Sequence, residues 1–303
     1  MRQPGRATII PVASGKGGVG KSIFAASLAI SLARKGEETV AVDLDLGGAN
    51  LHTYLGLPNT NPGIGDYLKQ RLASLGELIV PTTINNLRFL PGDGKTPFMA
   101  DIPTPQRLQL LDEIQKIPAR YVIVDLGAGT SLNTLNFFGL ANNGIIITTL
   151  DTPALMNALV FLRSFIFANI LTLAKENGAI RKTLLDAYRQ PANKENLTVE
   201  RVYDFIARHD APLAEKIKRR CGYFQPRFVY NMGEEKEDGK VAERMEATLR
   251  KNLSMRASAL GLITYDPEVR KAVRRNEIFL PAHPESAYAR CLNEIVARVR
   301  QQA

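Results

Sequence analysis

Short apolar runs alternate with segments of helical periodicity along most of the chain. Each run has four to seven residues, the length of a strand buried on both faces, and the runs lie at 8–13, 39–43, 87–90, 121–125, 144–150, 227–230 and 259–263. Helix-patterned segments follow several of them, at 22–35, at 106–117 and from 154 onward. Strands that alternate with helices predict repeated βαβ units, and so an α/β domain with a mainly parallel central sheet flanked by helices.

Two helices are predicted by apolar residues that recur at helical spacing. In the segment 106–117 these residues are Leu108, Leu111, Ile114 and Ile117. In the last helix, 286–300, one stripe contains Tyr288, Leu292, Ile295, Val296 and Val299. A single apolar stripe is typically the face that packs on a core, so we expect the last helix to dock on the domain.

A polar and basic block at about 176–222 interrupts the alternation of strands and helices. Connections between a helix and the next parallel strand are normally short, so this block is an insertion into the repeating unit. Its second part carries apolar Val202, Phe205, Ile206, Leu213 and Ile217, as a small helical subdomain would. We predict one domain over 1–303 with this helical insertion, which either decorates the domain or docks a partner.

The composition is that of an ordinary globular protein. The chain has 303 residues, of which 45 % are hydrophobic and 23 % charged, and its formal net charge is +9. No apolar run approaches the roughly 18 residues of a membrane-spanning helix, and 1–6 does not read as a signal peptide. Cys221 and Cys291 stand far apart, which argues against a disulfide framework or a cysteine metal site. We therefore expect a cytoplasmic protein whose charge is compatible with DNA, an anionic membrane face or an acidic partner.

Glycines and lysines are concentrated at 14–22, whose sequence is S-G-K-G-G-V-G-K-S. Gly15, Gly20, Lys21 and Ser22 match the phosphate-binding pattern G-x-x-x-x-G-K-[ST], between an apolar strand and a helix as the pattern requires. Backbone N–H groups of such a loop surround a phosphate chain, Lys21 reaches the β- and γ-phosphates, and the Ser22 hydroxyl binds Mg²⁺. The expected nucleotide-binding residues are Gly15, Lys16, Gly17, Gly18, Val19, Gly20, Lys21, Ser22 and Ile23. Pro11 is unfavourable here, because proline is rare in a central strand.

A second lysine, Lys16, directly follows the first glycine of this loop. An ordinary phosphate-binding loop needs no charge at that position, and we expect the Lys16 side chain to point away from the phosphates that its own loop holds. Lys16 is therefore a candidate to reach a nucleotide bound to a second, facing subunit.

Three aspartates follow buried strands, where a nucleotide-hydrolysing site needs carboxylates to manage Mg²⁺ and a water molecule. Asp125 ends the clearest strand and precedes Leu-Gly-Ala-Gly, so we expect it to reach Mg²⁺ through water. Asp43 and Asp45 are two residues apart after an earlier strand, and strand alternation places them on one face. Asp45 is the better candidate to orient the attacking water beside the metal, and Asp43 to support the metal site or Lys21. The alternative for this pair is a solvated turn.

Together these segments resemble the MinD/ParA family of ATPases with a deviant Walker A loop, and within it the MinD and FlhG/FleN branch. The stretch 43–57 is similar to the family's switch I segment, and 125–129 is similar to its switch II segment. The resemblance implies a three-layer P-loop NTPase fold with ATP and Mg²⁺ as cofactors. It also implies that Lys16 crosses a dimer interface, and that Lys16, Lys21 and Asp45 serve catalysis.

The resemblance extends to the nucleotide base. Asn231, after the strand at 227–230, is similar to the family's adenine-contacting asparagine. The stretch 265–273, with Asp266 and Pro267, is similar to the segment that lines the base. The implied protein is an ATP-Mg²⁺ sandwich homodimer that hydrolyses ATP slowly, responds to a protein effector and acts as a switch in spatial positioning, at a division site or at flagellar or other polar machinery.

The chain departs from these relatives in three respects. Only 301–303 follow the last helix, so we expect no membrane-targeting tail of the MinD kind, and peripheral binding to the inner membrane face has no clear targeting helix. The first strand begins almost at once, without the N-terminal extension of FlhG, and the insertion matches neither relative. The cysteine pair that iron–sulfur carriers of this loop type use at their dimer axis is also absent from the sequence.

Two alternative functions stay open. The basic cluster Arg270, Lys271, Arg274 and Arg275 is typical of a solvated helix face, but it also suits a ParA-type DNA-partition ATPase that contacts phosphates of nonspecific DNA. The other alternative is a nucleotide-bound scaffold that recruits a partner through the insertion at 176–222.

Overall fold

The computed structural model describes residues 7–69, 74–92, 102–189, 198–234 and 238–301. Strands in these ranges form one eight-stranded sheet. They are β1 (Thr8–Ala13), β2 (Thr39–Leu44), β3 (Val80–Pro81), β4 (Leu87–Leu90), β5 (Tyr121–Leu126), β6 (Ile145–Thr148), β7 (Arg227–Gly233) and β8 (Ser258–Thr264). Every predicted apolar run is a strand, and the short β3 is one that the apolar pattern did not indicate.

The sheet has the order β3-β4-β2-β5-β1-β6-β7-β8 and is parallel except for β3, which pairs antiparallel with β4 at one edge. β1 lies between β5 and β6. The register of β2 with β5 sets Asp43 opposite Asp125, so the parallel alignment itself brings these two carboxylates together. They lie at the carboxyl ends of the strands, the edge where open α/β sheets bind ligands.

Helices cover both faces of the sheet. They are α1 (Lys21–Arg34), α2 (Leu51–Tyr54), α3 (Ile64–Leu68), α4 (Thr104–Gln115), α5 (Leu132–Phe138), α6 (Thr152–Leu173), α7 (Gly178–Arg189), α8 (Val199–His209), α9 (Ala211–Gly222), α10 (Asp238–Leu253), α11 (Pro267–Arg274), α12 (Phe279–Ala282) and α13 (Ala287–Gln301), with a 3₁₀ turn at Leu75–Leu78. Alternate residues of β1 point to opposite faces: Ile10 and Val12 join a core with α1 and α13, and Ile9 and Ala13 join a core with α5, α6 and α9. The predicted three-layer α/β fold with a mainly parallel sheet is confirmed.

Pro11 lies in β1 opposite Val124 of β5. The ladder between β1 and β6 begins only at Val12. A proline just before the start of that ladder is tolerated, because its missing N–H falls where the second partner strand has not yet begun to pair.

The last helix docks as expected, because its apolar stripe is buried against the domain. The helix predicted at 106–117 is confirmed as α4, although the apolar residues at helical spacing are not all buried. Leu110 and Ile114 are the buried residues of α4, whereas Leu108 is 57 % exposed. Residues spaced by three drift around a helix of 3.6 residues per turn, so the series from Leu108 leaves the buried face that the pair Leu110 and Ile114 marks.

The expectation that no segment is long and apolar enough to span a membrane was wrong for α6. By length and composition this helix passes such a test. Its apolar side chains are used inside the domain, however, since Phe161, Leu162, Phe165, Ile166 and Ile170 are all buried in the core. A buried core helix meets the same criteria as a membrane span.

The segment predicted to be an insertion contains α7, α8 and α9, and α9 packs on α6. Thr198 and Asp210 cap α8 and α9 by accepting hydrogen bonds from the backbone N–H groups of Arg201 and Leu213, at 3.3 and 2.9 Å. The inner faces of α8 and α9 join the same core as α6 through buried Val199, Val202, Ile206, Ala214, Ile217 and Cys221. These helices are therefore continuous with the main core.

Candidate functional site

The loop between β1 and α1 is pressed closely against two other parts of the chain. Gly18 and Gly20 have φ angles of 81° and 87°, in the left-handed region that favours glycine. A side chain at Gly20 would overlap the amide of Asn231, and one at Gly15 would overlap the backbone of Asn157 in α6. The glycines are thus required by the turn and by these contacts, and the loop leads directly into the N-terminus of α1.

Lys21 is buried and surrounded by polar side chains from three elements. Its Nζ donates to Asp125 Oδ1 at 2.7 Å and to Ser22 Oγ at 3.2 Å, and it lies 3.8 Å from Asp45 Oδ2. A buried ammonium group is costly unless it is paired, and Asp125 provides that partner. The structure therefore brings Asp45 and Asp125, which are distant in sequence, to the neighbouring residues Lys21 and Ser22.

Asp125 retains an oxygen that fits a bound metal. The residue is fully buried, and its Oδ2 accepts no hydrogen bond from the described residues. Burial raises the pKa of Asp125, and the adjacent Lys21 opposes this rise. A buried carboxylate oxygen without a donor is well suited to accept a hydrogen bond from a metal-bound water.

Asp43 organises the segment that carries Asp45. It is fully buried, and it accepts hydrogen bonds from the backbone N–H of Asp45 at 3.1 Å and of Leu51 at 3.0 Å. Gly92 leaves no space beside it, because a Cβ there would lie 2.8 Å from the Asp43 carbonyl oxygen. Burial, followed by the negative charge of Asp125, raises the pKa of Asp43 to about 7. Its contacts are thus with the backbone after β2 rather than directly with Lys21.

The residues present fit a magnesium ion held jointly with phosphate. Within the described ranges, no three acidic, histidine or cysteine side chains converge into a site that could hold a metal alone. Mg²⁺ usually takes only one or two protein ligands and completes its octahedron with phosphate and water oxygens. The Ser22 hydroxyl and the carboxylates of Asp45 and Asp125 surround the Lys21 ammonium and could serve in this way.

Lys16 is held by its own chain. Its Nζ donates to Asp151 Oδ1 at 3.1 Å, and both side chains are partly exposed. Asp151 is the N-cap of α6, where it accepts from the backbone N–H of Ala154 at 3.0 Å and from the Thr149 hydroxyl. The Thr149 hydrogen bond, with these further partners, lowers the pKa of Asp151 to about 2. The sequence indicated only that a helix starts near Asp151. It did not identify Asp151 as the partner of Lys16, because the two residues are 135 positions apart.

One of the residues assigned to the base, Asn231, lies beside the loop. Asn231 is buried, and its Nδ2 donates to the carbonyl oxygen of Val19 at 2.9 Å. Asp266 caps α11: it accepts from the backbone N–H of Glu268 at 3.0 Å and of Tyr288 at 3.3 Å, and Pro267 is the first residue of that helix. A cavity of about 530 Å³ opens beside them, and its lining includes Tyr265, Asp266, Pro267, Glu268, His283 and Pro284. The carboxylate of Asp266 thus serves the helix, and the cavity next to it offers room for a base.

The sequence matches a family model that covers most of the chain, the CobQ/CobB/MinD/ParA nucleotide-binding domain, over residues 10–279. A flagellum site-determining protein, YlxH of Helicobacter pylori, is 33 % identical over 190 residues, which are 59 % of this chain and 64 % of that protein. The septum site-determining protein MinD of Synechocystis is 34 % identical over 151 residues, 50 % of this chain and 56 % of that protein. The match thus spans less than two thirds of the length of either relative.

Solved structures share the fold at low sequence identity. The cell division ATPase MinD of Pyrococcus furiosus superposes with a TM-score of 0.64 at 18 % identity, over 98 % of this chain and 100 % of that one. MinD of Pyrococcus horikoshii, in complex with Mg-ADP, gives a TM-score of 0.62 at 19 % identity, over 98 % and 97 % of the two chains. A putative plasmid partition protein of Borrelia burgdorferi bound to AMPPNP gives 0.60 at 18 %, over 98 % and 100 %. With the phosphate-binding loop, the central parallel sheet and the match over 10–279, the chain belongs to the CobQ/CobB/MinD/ParA family of nucleotide-binding domains.

Proposed function

We propose that this protein is an ATP- and Mg²⁺-dependent ATPase that switches between a monomer and an ATP-bound sandwich dimer, and that it takes part in spatial positioning as its site-determining relatives do. The cluster around Lys21 carries this proposal. A lysine that can bridge phosphate oxygens, a hydroxyl for Mg²⁺ and two carboxylates beside them are the parts that phosphoryl transfer to water requires.

Each residue of the cluster has a distinct proposed role. Lys21 would release Asp125 to bind the β- and γ-phosphates, and Ser22 would hold Mg²⁺, which supplies positive charge beside the phosphates. Asp125 would hold a water beside the metal through the oxygen that lacks a donor. Asp45 orients the attacking water, while Asp43 keeps Asp45 in place through the backbone hydrogen bond between them. Base binding uses Asn231 and the cavity lined by Asp266 and Pro267.

Lys16 would complete the site of a second subunit. In the single chain its ammonium pairs with Asp151, an ion pair that is exposed and therefore worth only about 0–1 kcal/mol. Such a weak pair can be exchanged for a charge-assisted contact with the phosphates of a facing subunit. Dimerisation and ATP binding would then be coupled, because neither half of the interface is complete without the nucleotide.

Partners and location follow from the relatives. One solved neighbour is a MinC:MinD complex of Aquifex aeolicus, which is a precedent for a protein effector. We propose that this chain also acts in the cytoplasm through a protein effector or activator. Peripheral binding to the inner membrane face is not favoured by α13, whose apolar stripe is buried in the domain.

Light scattering coupled to size-exclusion chromatography of the Asp45→Ala variant tests the proposal. With Mg²⁺-ATP this variant should elute as a stable dimer and without nucleotide as a monomer, because ATP binds but is hydrolysed at least about 100-fold more slowly. Asp204→Ala, which removes an exposed carboxylate on α8, is the matched control and should exchange like the wild type. A variant that binds ATP yet stays monomeric would exclude the sandwich dimer.

A DNA-partition ATPase of the ParA type is the second candidate, and one observation favours it. The exposed side of α11 presents Arg270, Arg274 and Arg275, whereas Lys271 pairs with Glu268 at 2.6 Å. A plasmid partition protein is among the structural neighbours. A nucleotide-bound scaffold that recruits a partner through α7–α9 is the third, and the complete set of carboxylates around Lys21 makes it the weakest of the three.

A further inference from the structure

The side chain of Asn231 contacts the phosphate-binding loop from a position 212 residues further along the chain. Asn231 lies in β7 and is only 4 % exposed, and its Nδ2 donates a hydrogen bond to the carbonyl oxygen of Val19 at 2.9 Å. The amide also fills the space next to Gly20, where an added Cβ would overlap Nδ2. Asn231 therefore lies directly against the turn that leads into α1.

The carbonyl groups of this loop need donors other than a ligand. When backbone N–H groups surround a phosphate, the carbonyl groups of the same loop point elsewhere, and a buried carbonyl without a donor is costly. The Lys16 carbonyl accepts from the Ser14 hydroxyl at 2.9 Å, and the Gly20 carbonyl accepts from the α1 backbone at 3.1 Å. Both of these donors are local in sequence. The carbonyl of Val19, which lies between them, depends instead on the distant side chain of Asn231.

The end of β7 has an irregular backbone at Asn231. Asn231 pairs with Ile263 of β8 and Gly233 pairs with Thr264, so Met232 is an extra residue in β7, as in a β-bulge. Met232 has a φ angle of 60°, in the left-handed region that is uncommon for residues other than glycine. Bulges redirect side chains and are frequent beside active sites. The irregularity in β7 thus occurs where the strand presents the amide of Asn231 to the loop.

We propose that Asn231 is a positioning residue that holds the phosphate-binding loop in the shape that binds phosphate before a nucleotide arrives. The inference rests on the proposed function, because it takes this loop as the place where the phosphates bind. The contact with Val19 uses one N–H of the amide, and an amide has a second N–H and an acceptor oxygen. Support of the loop is therefore compatible with the base contact proposed for the same side chain. A loop that is already ordered binds phosphates without a further cost of ordering.

Isothermal titration calorimetry with Mg²⁺-tripolyphosphate and with Mg²⁺-ATP tests this role, since tripolyphosphate has the phosphate chain but no base. Asn231→Ala should bind both ligands about tenfold to a hundredfold more weakly than the wild type, as expected when a buried hydrogen bond is lost. A residue that contacts only the base would affect ATP binding and leave tripolyphosphate binding unchanged. Asn252→Ala, at an exposed asparagine of α10, is the matched control and should bind both ligands like the wild type.

Asn231→Ser is a second and smaller change at the same position. Its hydroxyl is too short to reach the carbonyl oxygen of Val19, so tripolyphosphate binding should weaken by a similar factor. Circular dichroism of both variants shows that they are folded before binding is measured.

Weaker binding of both ligands by the folded variants supports the proposal. Tripolyphosphate binding that stays within about twofold of the wild type overturns it, whatever happens to ATP binding. A wild type that binds Mg²⁺-ATP but not tripolyphosphate also overturns it, because a loop already held in the binding shape needs no base. A wild type that binds neither ligand contradicts the proposed function itself, so the two failures can be distinguished.

Discussion

The Lys16 side chain forms an ion pair with a residue of its own chain, Asp151. The two residues are joined at 3.1 Å within one chain, although a bridging role requires Lys16 to reach a second subunit. Asp151 also caps α6 and has a strongly lowered pKa, so it stays ionised at every physiological pH. Lys16 thus forms a weak, exposed ion pair with Asp151, and contact with a phosphate can replace this pair.

Replacing Lys16 should therefore separate nucleotide binding from dimerisation. Lys16→Ala is expected to bind Mg²⁺-ATP within a fewfold of the wild type, because Lys21 and the loop backbone remain. It should give no ATP-dependent dimer by light scattering. Lys35→Ala, which removes an exposed lysine at the other end of α1, should dimerise normally. An unimpaired dimer of Lys16→Ala would show that Lys16 does not bridge subunits.

The raised pKa of Asp43 predicts that the stability of the folded protein depends on pH. Folding raises the pKa of its carboxyl group from 3.8, the ordinary value for an exposed aspartate, to about 7. A carboxyl whose pKa is raised by folding favours the folded state when it is protonated, and this contribution is lost as the pH rises from about 4 to about 7. The loss is at most about 1.4 kcal/mol per pH unit for this one proton.

Urea unfolding of the nucleotide-free protein at two pH values tests this expectation. Asp43→Asn cannot titrate, but it loses an acceptor for the backbone N–H of Asp45 or Leu51. The variant should therefore be destabilised relative to the wild type more at about pH 5 than at about pH 8, since at the higher pH the wild type carries the buried negative charge. An equal difference at both values would contradict the raised pKa.

At the scale of elements, α6 connects the site with the core. Its N-cap Asp151 holds Lys16 and its second turn lies against Gly15 through Asn157, while its later turns carry a cluster of aromatic rings. Phe165 lies edge-on to Phe138 at 5.2 Å and to Phe224 at 4.7 Å between ring centroids. The cluster fixes α5, α6 and the segment after α9 relative to one another.

Removal of the Phe165 ring should strongly destabilise the folded protein. Phe165→Ala is expected to lower the free energy of unfolding by about 3–5 kcal/mol, because it leaves a cavity among buried rings. Leu108→Ala, at an exposed apolar position of α4, should change it by less than about 0.5 kcal/mol. Urea unfolding monitored by circular dichroism measures both. A small effect of Phe165→Ala would mean that the cluster can collapse around the missing ring.

The insertion is best probed by substitutions on its surface. Val202, Ile206 and Ile217 of α8 and α9 belong to the same core as α6. Deletion of 176–222 would therefore expose apolar surface and confuse loss of a docking site with loss of folding. Exposed basic residues of α9 such as Lys216 and Arg219 can be changed without uncovering the core, whereas Arg220 lies over the ring of the buried Phe224.

At the scale of the whole molecule, the net charge of +9 is compatible with both leading functions, and binding to DNA separates them. A positioning switch that binds protein partners should not bind random duplex DNA at about 150 mM salt. Fluorescence anisotropy with a labelled duplex, with and without Mg²⁺-ATP, measures this directly. ATP-dependent binding that falls steeply between about 50 and 150 mM salt, and that the double variant Arg270→Ala/Arg274→Ala abolishes, would instead establish the partition function.

Much of the architecture could be predicted because its signals are local. Alternating apolar runs marked the strands around the site, and the glycine-rich loop between β1 and α1 indicated phosphate binding within nine residues. Leu108 lies outside the buried face of α4 because residues spaced by three drift around a helix of 3.6 residues per turn. The expectation that no segment is long and apolar enough to span a membrane failed at α6, because a core helix and a membrane helix share length and composition.

The sequence by itself determined the α/β class, the phosphate-binding loop and the presence of aspartates at strand ends, since each depends on neighbours along the chain. Only the tertiary structure decided which of these residues meet. The strand order sets Asp43 beside Asp125, the packing of α6 gives Lys16 its partner Asp151, and the end of β7 brings the amide of Asn231 to the carbonyl oxygen of Val19. These contacts join residues far apart in sequence, and their formation depends on burial of the whole sheet rather than on any local pattern.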